Sequence, residues 1–410
     1  MSCCDQPGLM TVEQALERLL AAAQPTTDIE TVPLMSALGR VLASDQLSTV
    51  DVPPADNSAM DGFALRFADC NAGAETTLPI SQRIPAGAVP KPLQPGSAAR
   101  IFTGAEVPPG ADTVVMQEQC RWDDQQVTLA ADIKAGANIR PTGQDIRRDA
   151  TVLARGQRLK PQDLGLLASV GIAEVPVYRR LKVALLCTGD ELVEPGQPLP
   201  PGHIYNSNRF TLAGQLQALG FDYVDLGMVA DTPQATEQAL LRAATEADCI
   251  ISSGGVSVGE EDHVKGCVEK LGSLDLWRMA IKPGKPLAFG QVQGTPFIGL
   301  PGNPASVFVT FAIAARPYLL KTQGASDYLP VAVPVAAGFS RPKGTKRQEY
   351  LRARLVEDAS GQVRAELAGS QSSGVLSSVS QGNGFVVHRL GESFDEGDAV
   401  PFLSFPDLLF

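Results

Sequence analysis

What most limits the fold of this chain is a regular alternation of short apolar runs and helical periodicity that begins at Arg180. Residues 182–187, Lys-Val-Ala-Leu-Leu-Cys, predict a buried strand, 210–219 a helix stopped by Gly220, and 223–228 a second strand. A helix opening on Pro233 follows, then a strand over 249–252, a helix over 262–271, a strand over 295–300 and a helix over 305–320. Strands separated by helices of about 10–15 residues must come back in the same direction, which implies right-handed βαβ units and a mostly parallel, doubly wound sheet. In such a sheet, ligands collect outside the carboxyl ends of the strands. Function is therefore expected in the turns that follow them.

Those turns carry chemistry. After the first strand stands Thr188-Gly189-Asp190-Glu191, after the second Asp231-Thr232-Pro233, and after the last Leu300-Pro301-Gly302-Asn303-Pro304. After the third comes the glycine-rich Ser253-Gly254-Gly255-Val256-Ser257-Val258-Gly259, followed by Glu260, Glu261 and Asp262. Backbone amides of such a turn, at the start of a helix, can cradle a phosphate; taken alone, it is equally a tight strand-to-helix connection. Asp190, Glu191, Asp231 and Asp262 would crowd like charges at the strand ends, which a hard divalent cation such as Mg²⁺, shared with substrate phosphates, would relieve. Singly, Asp231 and Asp262 also read as helix caps or solvated turn residues. Facing the acids, Lys282 and Lys285 lie in Ile281-Lys282-Pro283-Gly284-Lys285-Pro286, where two prolines stiffen a cationic loop suited to an oxyanion.

The rest of the chain has a different texture. Thr11 and Gln14 form a capping box ahead of apolar positions 12, 15, 16, 19, 20 and 23, which predicts an amphipathic helix. Residues 46–150 are short apolar runs broken by Gly and Pro, a β-rich stretch, and helical character returns at 162–170 before Gly171. The segments either side of the β-rich part are expected to pack together, with that part inserted between them. After Pro330 short strands resume, with a hairpin of 349–356 and 362–367 around Ser360-Gly361, and the Ser-rich stretch 370–380 is expected to be a loop. A cationic run, Arg341, Lys343, Lys346, Arg347, Arg352 and Arg354, stands out in a chain of net charge -11 and pI near 4.9. It reads as a solvated face or as a second site for a polyanion.

That net charge excludes general nucleic-acid or membrane-surface binding, since both need an excess of Lys and Arg. The seven cysteines, at 3, 4, 70, 120, 187, 249 and 267, form no CxxC pair and no disulfide framework, so a reducing cytoplasmic location is expected. No export signal and no membrane span are read. His203, His263 and His388 are scattered, which argues against zinc or a histidine-based triad. From the residues alone, the chain is a Mg²⁺-dependent enzyme acting on a phosphorylated or nucleotide-linked substrate.

Two further motifs, Asn57-Ser58-Ala59-Met60-Asp61-Gly62-Phe63-Ala64 and Ile101-Phe102-Thr103-Gly104-Ala105, read in isolation as turns. With Thr188 to Leu192, Ser253 to Gly259, Lys282 to Pro286 and Leu300 to Pro304, they resemble, in order, the motifs of the molybdopterin molybdenumtransferase family, which includes the E domain of gephyrin. The resemblance runs from residue 11 to about 405 and is looser in the last part, where Glu349-Tyr350-Leu351-Arg352 and the loop around Ser372 carry it. It implies an elongated helical or dimerisation domain (1–45 and 146–178), an inserted β domain (46–145), an α/β domain similar to molybdopterin adenylyltransferase (179–328) and a C-terminal β-barrel (329–410).

It also implies a reaction: molybdate enters adenylyl-molybdopterin and AMP leaves, in molybdenum cofactor biosynthesis. Carried over by motif position, Asp61, Thr103, Glu191, Lys282 and Lys285 would be catalytic. Gly254, Gly255, Ser257, Gly259, Asp145, Pro301, Pro304, Arg352 and Ser372 would bind the pterin nucleotide, and Glu191, Asp231 and Asp262 would hold Mg²⁺. In that assignment the lysines attract molybdate and the Arg-rich run holds the phosphate end of the pterin. His263 stands where the family has an aromatic residue, and no role is assigned to it. The family is homodimeric, with the site between the α/β domain of one subunit and the inserted and C-terminal domains of its partner, and a molybdopterin adenylyltransferase is a further expected partner. The alternatives are an adenylyltransferase, which the α/β segment alone also resembles, and a non-catalytic scaffold of the gephyrin type.

Overall fold

The computed structural model describes residues 9–255, 263–359 and 361–409. Its centre is a seven-stranded sheet whose order from one edge is Leu9–Met10, Gly272–Met279, Pro286–Val292, Thr295–Leu300, Cys249–Ser253, Lys182–Thr188 and Asp222–Val229. The last four are parallel, as the alternation predicts. Pro286–Val292 runs antiparallel to both of its neighbours, so the sheet is mixed. The strand pair Gly272–Met279 and Pro286–Val292 is not expected from the sequence, because most of the first strand is solvent-facing and shows no apolar run.

Period-two alternation sorts the core. In Lys182–Thr188, Val183 and Leu185 face one hydrophobic cluster while Ala184 and Leu186 face another. The second cluster is covered by helices Pro233–Glu246 and His263–Leu271. The first is covered by Ser207–Ala218 and by the continuous helical run of Pro304–Thr310, Phe311–Ala315 and Arg316–Thr322, whose middle turn is a π-helix. Each aliphatic side chain fully buried in this way contributes about 1.5–3 kcal/mol.

The helix Val12–Ala22 starts with the predicted capping box: Gln14 N donates to Thr11 Oγ1 at 3.2 Å and Thr11 N to Gln14 Oε1 at 3.0 Å. It lays Val12, Ala15 and Leu19 on the sheet core. The segments on either side of the β-rich stretch pair with each other, Ile29–Pro33 with Glu174–Tyr178 and Gln46–Leu47 with Thr151–Leu153. They share a small core of Ala37, Leu42, Leu153, Leu159, Leu167, Val175 and Val177. Between them lies a six-stranded sheet built from strands between Gly62 and Leu129.

After residue 330, strands Val333–Ala337, Gln348–Glu357, Val363–Leu367, Gly384–His388 and Ala399–Ser404 pair in a ring that closes where Gln348–Glu357 meets Gly384–His388. This is a closed barrel, and the predicted hairpin forms part of it. The Ser-rich stretch is not all loop, since Ser377–Gln381 is helical. Cys70, Cys120, Cys187, Cys249 and Cys267 are free, and among the described residues no helix is long and apolar enough to cross a membrane.

Candidate active site

The turns at the carboxyl ends of the parallel strands converge. Gly254 N donates to Leu300 O at 3.1 Å, and a Cβ on Gly302 would lie 3.9 Å from Gly254 Cα. Gly255 has φ +70°, and a Cβ there would stand 2.4 Å from Val264 Cγ2, so the glycine turn presses onto the first turn of the following helix. Ser257, Gly259 and Asp262 lie outside the described residues, as do Glu260 and Glu261.

A residue that the sequence motifs do not single out ties the crevice together. Asn208, the second residue of the Ser207–Ala218 helix, donates from Nδ2 to Ser253 Oγ at 2.8 Å and to Gly302 O at 2.7 Å. It thus clamps the glycine turn to the Pro301 turn. Its neighbour Asn206 is the helix cap and accepts from Arg209 N. The available signal was an Asn-Ser-Asn run directly before a helix on the ligand side of the sheet.

The acids are positioned differently from one another. Glu191 is exposed and folds back over its own turn, with Oε2 2.7 Å from where a Cβ on Gly189 would be. The loop that carries it is held by Arg209, which donates to Glu194 at 2.7 Å and to Asp225 at 2.5 Å. Burial pushes the Asp225 carboxyl up, but Arg209 and the Gly227 N–H outweigh this and keep it below the ordinary range. Capping of the Pro233–Glu246 helix falls to Thr232, which accepts from Ala235 N at 3.3 Å, so Asp231 is not the cap. Among the described residues no three His, Cys, Asp or Glu side chains stand close enough to form a metal site by themselves.

The lysine loop borders the same crevice. Gly284 has φ +103°, and a Cβ on it would stand 2.5 Å from Thr310 Cγ2 and 3.6 Å from Pro301 Cγ. Ile281–Lys282 pairs in parallel with Gln348 and Glu349 of the barrel. Lys282 Nζ donates to Glu349 Oε1 at 2.8 Å, and that carboxylate is only 11% exposed. The loop is thus less cationic than the sequence predicts, and Lys285 is its exposed cation.

The barrel of the same chain also reaches the crevice. Ala305 N, at the start of the Pro304 helix, donates to Ser373 O at 3.0 Å, which places the exposed Ser372 beside the Pro301 turn. Arg352, expected on an open cationic patch, is instead 1% exposed. Its Nη2 donates to Ser370 O and Ser372 O, each at 3.1 Å, and its Nε to Ser378 Oγ at 3.1 Å. Burial pulls its pKa down. Two residues on, and on the same face of the strand, Arg354 is 57% exposed and pairs with Glu366 at 3.7 Å, so it is the hydrogen bonds to the Ser370–Ser372 loop, not the strand's alternation, that separate Arg352 from the rest of the cationic run.

In the inserted sheet, the two isolated motifs meet. Asp61 Oδ1 accepts from Thr103 N at 2.8 Å and from Thr103 Oγ1 at 2.7 Å, which holds the carboxyl below its ordinary value. Asp145 is exposed, and its N–H donates to Val52 O. Among the described residues, no hydrogen bond or ion pair joins Asp61, Thr103 or Asp145 to the crevice of the same chain.

Fold and site together define a multidomain α/β protein with a crevice at its strand ends, bordered by a glycine turn, a lysine loop and a C-terminal barrel. Residues 10–171 match the family profile described as MoeA N-terminal region (domain I and II), 184–321 that of a "probable molybdopterin binding domain", and 334–405 that of MoeA C-terminal region (domain IV). A molybdopterin molybdenumtransferase of Haemophilus influenzae is 41% identical, with 92% of this chain and 94% of the relative covered. One from a Nostoc species is 38% identical over 98% of this chain and 94% of the relative. The chain belongs to the molybdopterin molybdenumtransferase family. A crystal structure of the molybdopterin biosynthesis moeA protein of Pyrococcus horikoshii superposes with a TM-score of 0.83 at 29% identity, covering 97% of this chain and 100% of that one.

Proposed function

We propose that this chain is a molybdopterin molybdenumtransferase that takes adenylyl-molybdopterin and molybdate to molybdenum-molybdopterin and AMP. The observation that carries the reading is the convergence of the Gly254 turn, the Lys282–Lys285 loop and the Pro301 turn on one crevice, in a chain of this family. The glycine turn and the helix behind it receive phosphate oxygens through backbone N–H groups. Pro301 and Pro304 fix the opposite wall, and Ser372 borders it from the barrel. An arriving oxyanion meets Lys285 directly and competes with Glu349 for Lys282, so both ammonium groups can offset negative charge that develops on the leaving phosphate.

Mg²⁺ suits the donor set: Glu191 and Asp231 offer hard carboxylate oxygens at the strand ends, and Asp262, outside the described residues, would be the third. When bound, the cation would neutralise phosphate charge. Asp61 and Thr103 lie in turns of the inserted sheet and Asp145 in the bend that leaves the insert, so a second copy of the chain is proposed to bring them to the crevice as a homodimer. The adenylylated substrate would come from a molybdopterin adenylyltransferase.

The full-length protein given adenylyl-molybdopterin, molybdate and Mg²⁺ should release AMP and yield cofactor that activates an apo-molybdoenzyme; absence of AMP with all three present overturns the reading. Glu191→Ala should lower AMP release by about a hundredfold or more, with unchanged circular dichroism. Mixing Glu191→Ala with Asp61→Ala protein, each inactive alone, should restore activity through mixed dimers. No recovery would mean that each chain completes its own site.

A further inference from the structure

At the other end of the central sheet, where its strands begin, lies a cavity of about 850 Å³ between the α/β part and the paired segments before and after the insert. Its floor is the start of two neighbouring strands, with Lys182 and Asp222 as Cα partners. Arg158 spans the walls: Nε donates to Gly39 O and Nη2 to Ala218 O, both at 3.3 Å. In a chain of net charge -11, the lining is strongly basic, with Arg158, Lys160, Arg180 and Lys182 against the single acid Asp222.

The neighbouring acids are already engaged. Asp248 accepts from Arg179 at 2.9 Å and from Lys182 N at 2.7 Å, and Glu246 accepts from Arg242 at 2.9 Å. Lys160, Arg180 and Lys182 form no side-chain ion pair among the described residues, and the buried Arg180 Nε–H has no acceptor there. The remaining wall is apolar, with the exposed Leu38 and the half-buried Tyr223 ring facing the cavity and the buried Leu159 and Phe221 behind them. A concavity of this size, with apolar walls and a few converging charges, has the anatomy of a small-molecule site.

We propose that this cavity is a second ligand site, for an organic anion with a flat apolar body, the class to which nucleoside monophosphates belong. The aromatic wall takes the ring, and the guanidinium and ammonium groups take the anionic end. It shares no lining residue with the crevice at the opposite strand ends. Occupancy would tie the α/β part to the segments that carry the insert.

The probe is 8-azidoadenosine monophosphate, photolysed with the full-length protein, with the labelled peptides mapped. Label is expected in peptides spanning 217–223 or 158–161, competed by AMP but not by adenosine. The double variant Lys160→Glu, Lys182→Glu, both exposed positions, should fold normally and lose that label by about tenfold. No label, label confined to peptides holding 188–192 or 300–304, equal competition by adenosine, or undiminished labelling of the double variant would each overturn the proposal.

Discussion

At the scale of single residues, partners decide what a charged side chain can do. Lys282 is 45% exposed but faces a Glu349 carboxylate that is 11% exposed. Replacing it by Met leaves that largely desolvated carboxylate without its ion-pair partner, at a cost of about 1–2 kcal/mol after allowance for solvent screening at the lysine. Lys282→Met should lower AMP release by more than tenfold (about 1.4 kcal/mol in the barrier) while moving the thermal midpoint only slightly. Near-normal turnover would remove this lysine from the chemistry.

Arg352 is the opposite case. Three acceptors depend on its guanidinium, so Arg352→Met should cost about 2–4 kcal/mol in urea unfolding, and Lys, which lacks the fork, should recover little of it. A loss below about 1 kcal/mol would show that the Ser370–Ser372 loop is held by something else. Asp61 adds a pH dependence. Its carboxyl is held below the usual 3.8, first by the Thr103 N–H and then by the Thr103 hydroxyl. Its contribution to the Thr103 turn is thus full above the ordinary aspartate range and fades as pH falls through the lowered value. The protection factor of the Thr103 amide, measured against the intrinsic exchange rate at each pH, should be high at neutral pH and fall in acid, whereas in Asp61→Ala it should be low at both. The motifs that hold Asp61 and Thr103 are legible in the sequence, but each reads there as a separate turn, and their pairing is not. The burial of Arg352 is not legible either, because a run of cations cannot show which member meets a distant loop of carbonyls.

At the scale of elements, the four parallel strands and their helices were legible because the three inner strands are apolar on both faces and the helices start or stop on signals such as Pro233 and Gly220. Gly272–Met279 was not, since mainly its later residues, Trp277 and Met279, are buried, and its hairpin partner begins inside what reads as a lysine loop. Asn208 was missed for a related reason: its function is to join two turns that are distant in sequence. Asn208→Ala removes two hydrogen bonds, each worth about 1 kcal/mol net. The expected result is a stability loss of about 1–2 kcal/mol together with a rise in KM for the adenylylated substrate larger than the fall in kcat, because the turns would bind phosphate in more than one geometry. A change in stability alone, with unaltered KM, would make the clamp purely architectural. Asn208→Asp keeps only acceptors and should not rescue the clamp.

At the scale of the whole molecule, the chain divides by core rather than by sequence order. One cluster runs from the first helix through one face of the central sheet to Tyr350, Phe385 and Leu403 of the barrel, and it contains Trp277. Phe308, on the Pro304 helix, lies 6.1 Å from Phe385 and 5.2 Å from Phe405, ring to ring, so barrel and sheet are sewn together by aromatic contacts. The inserted sheet contributes nothing to that cluster and buries its own residues in two smaller ones. It carries the other tryptophan, Trp122, whose ring lies 5.6 Å from Phe63. Cooperative units follow such shared burial, so the two tryptophans should report two different unfolding events. Phe385→Ala empties a fully buried aromatic site at a cost of about 3–5 kcal/mol. Followed through Trp277 in a Trp122→Phe background, its urea transition should move to lower concentration. Followed through Trp122 in a Trp277→Phe background, it should stay in place. Equal displacement of both transitions would mean that the insert and the sheet unfold as one body.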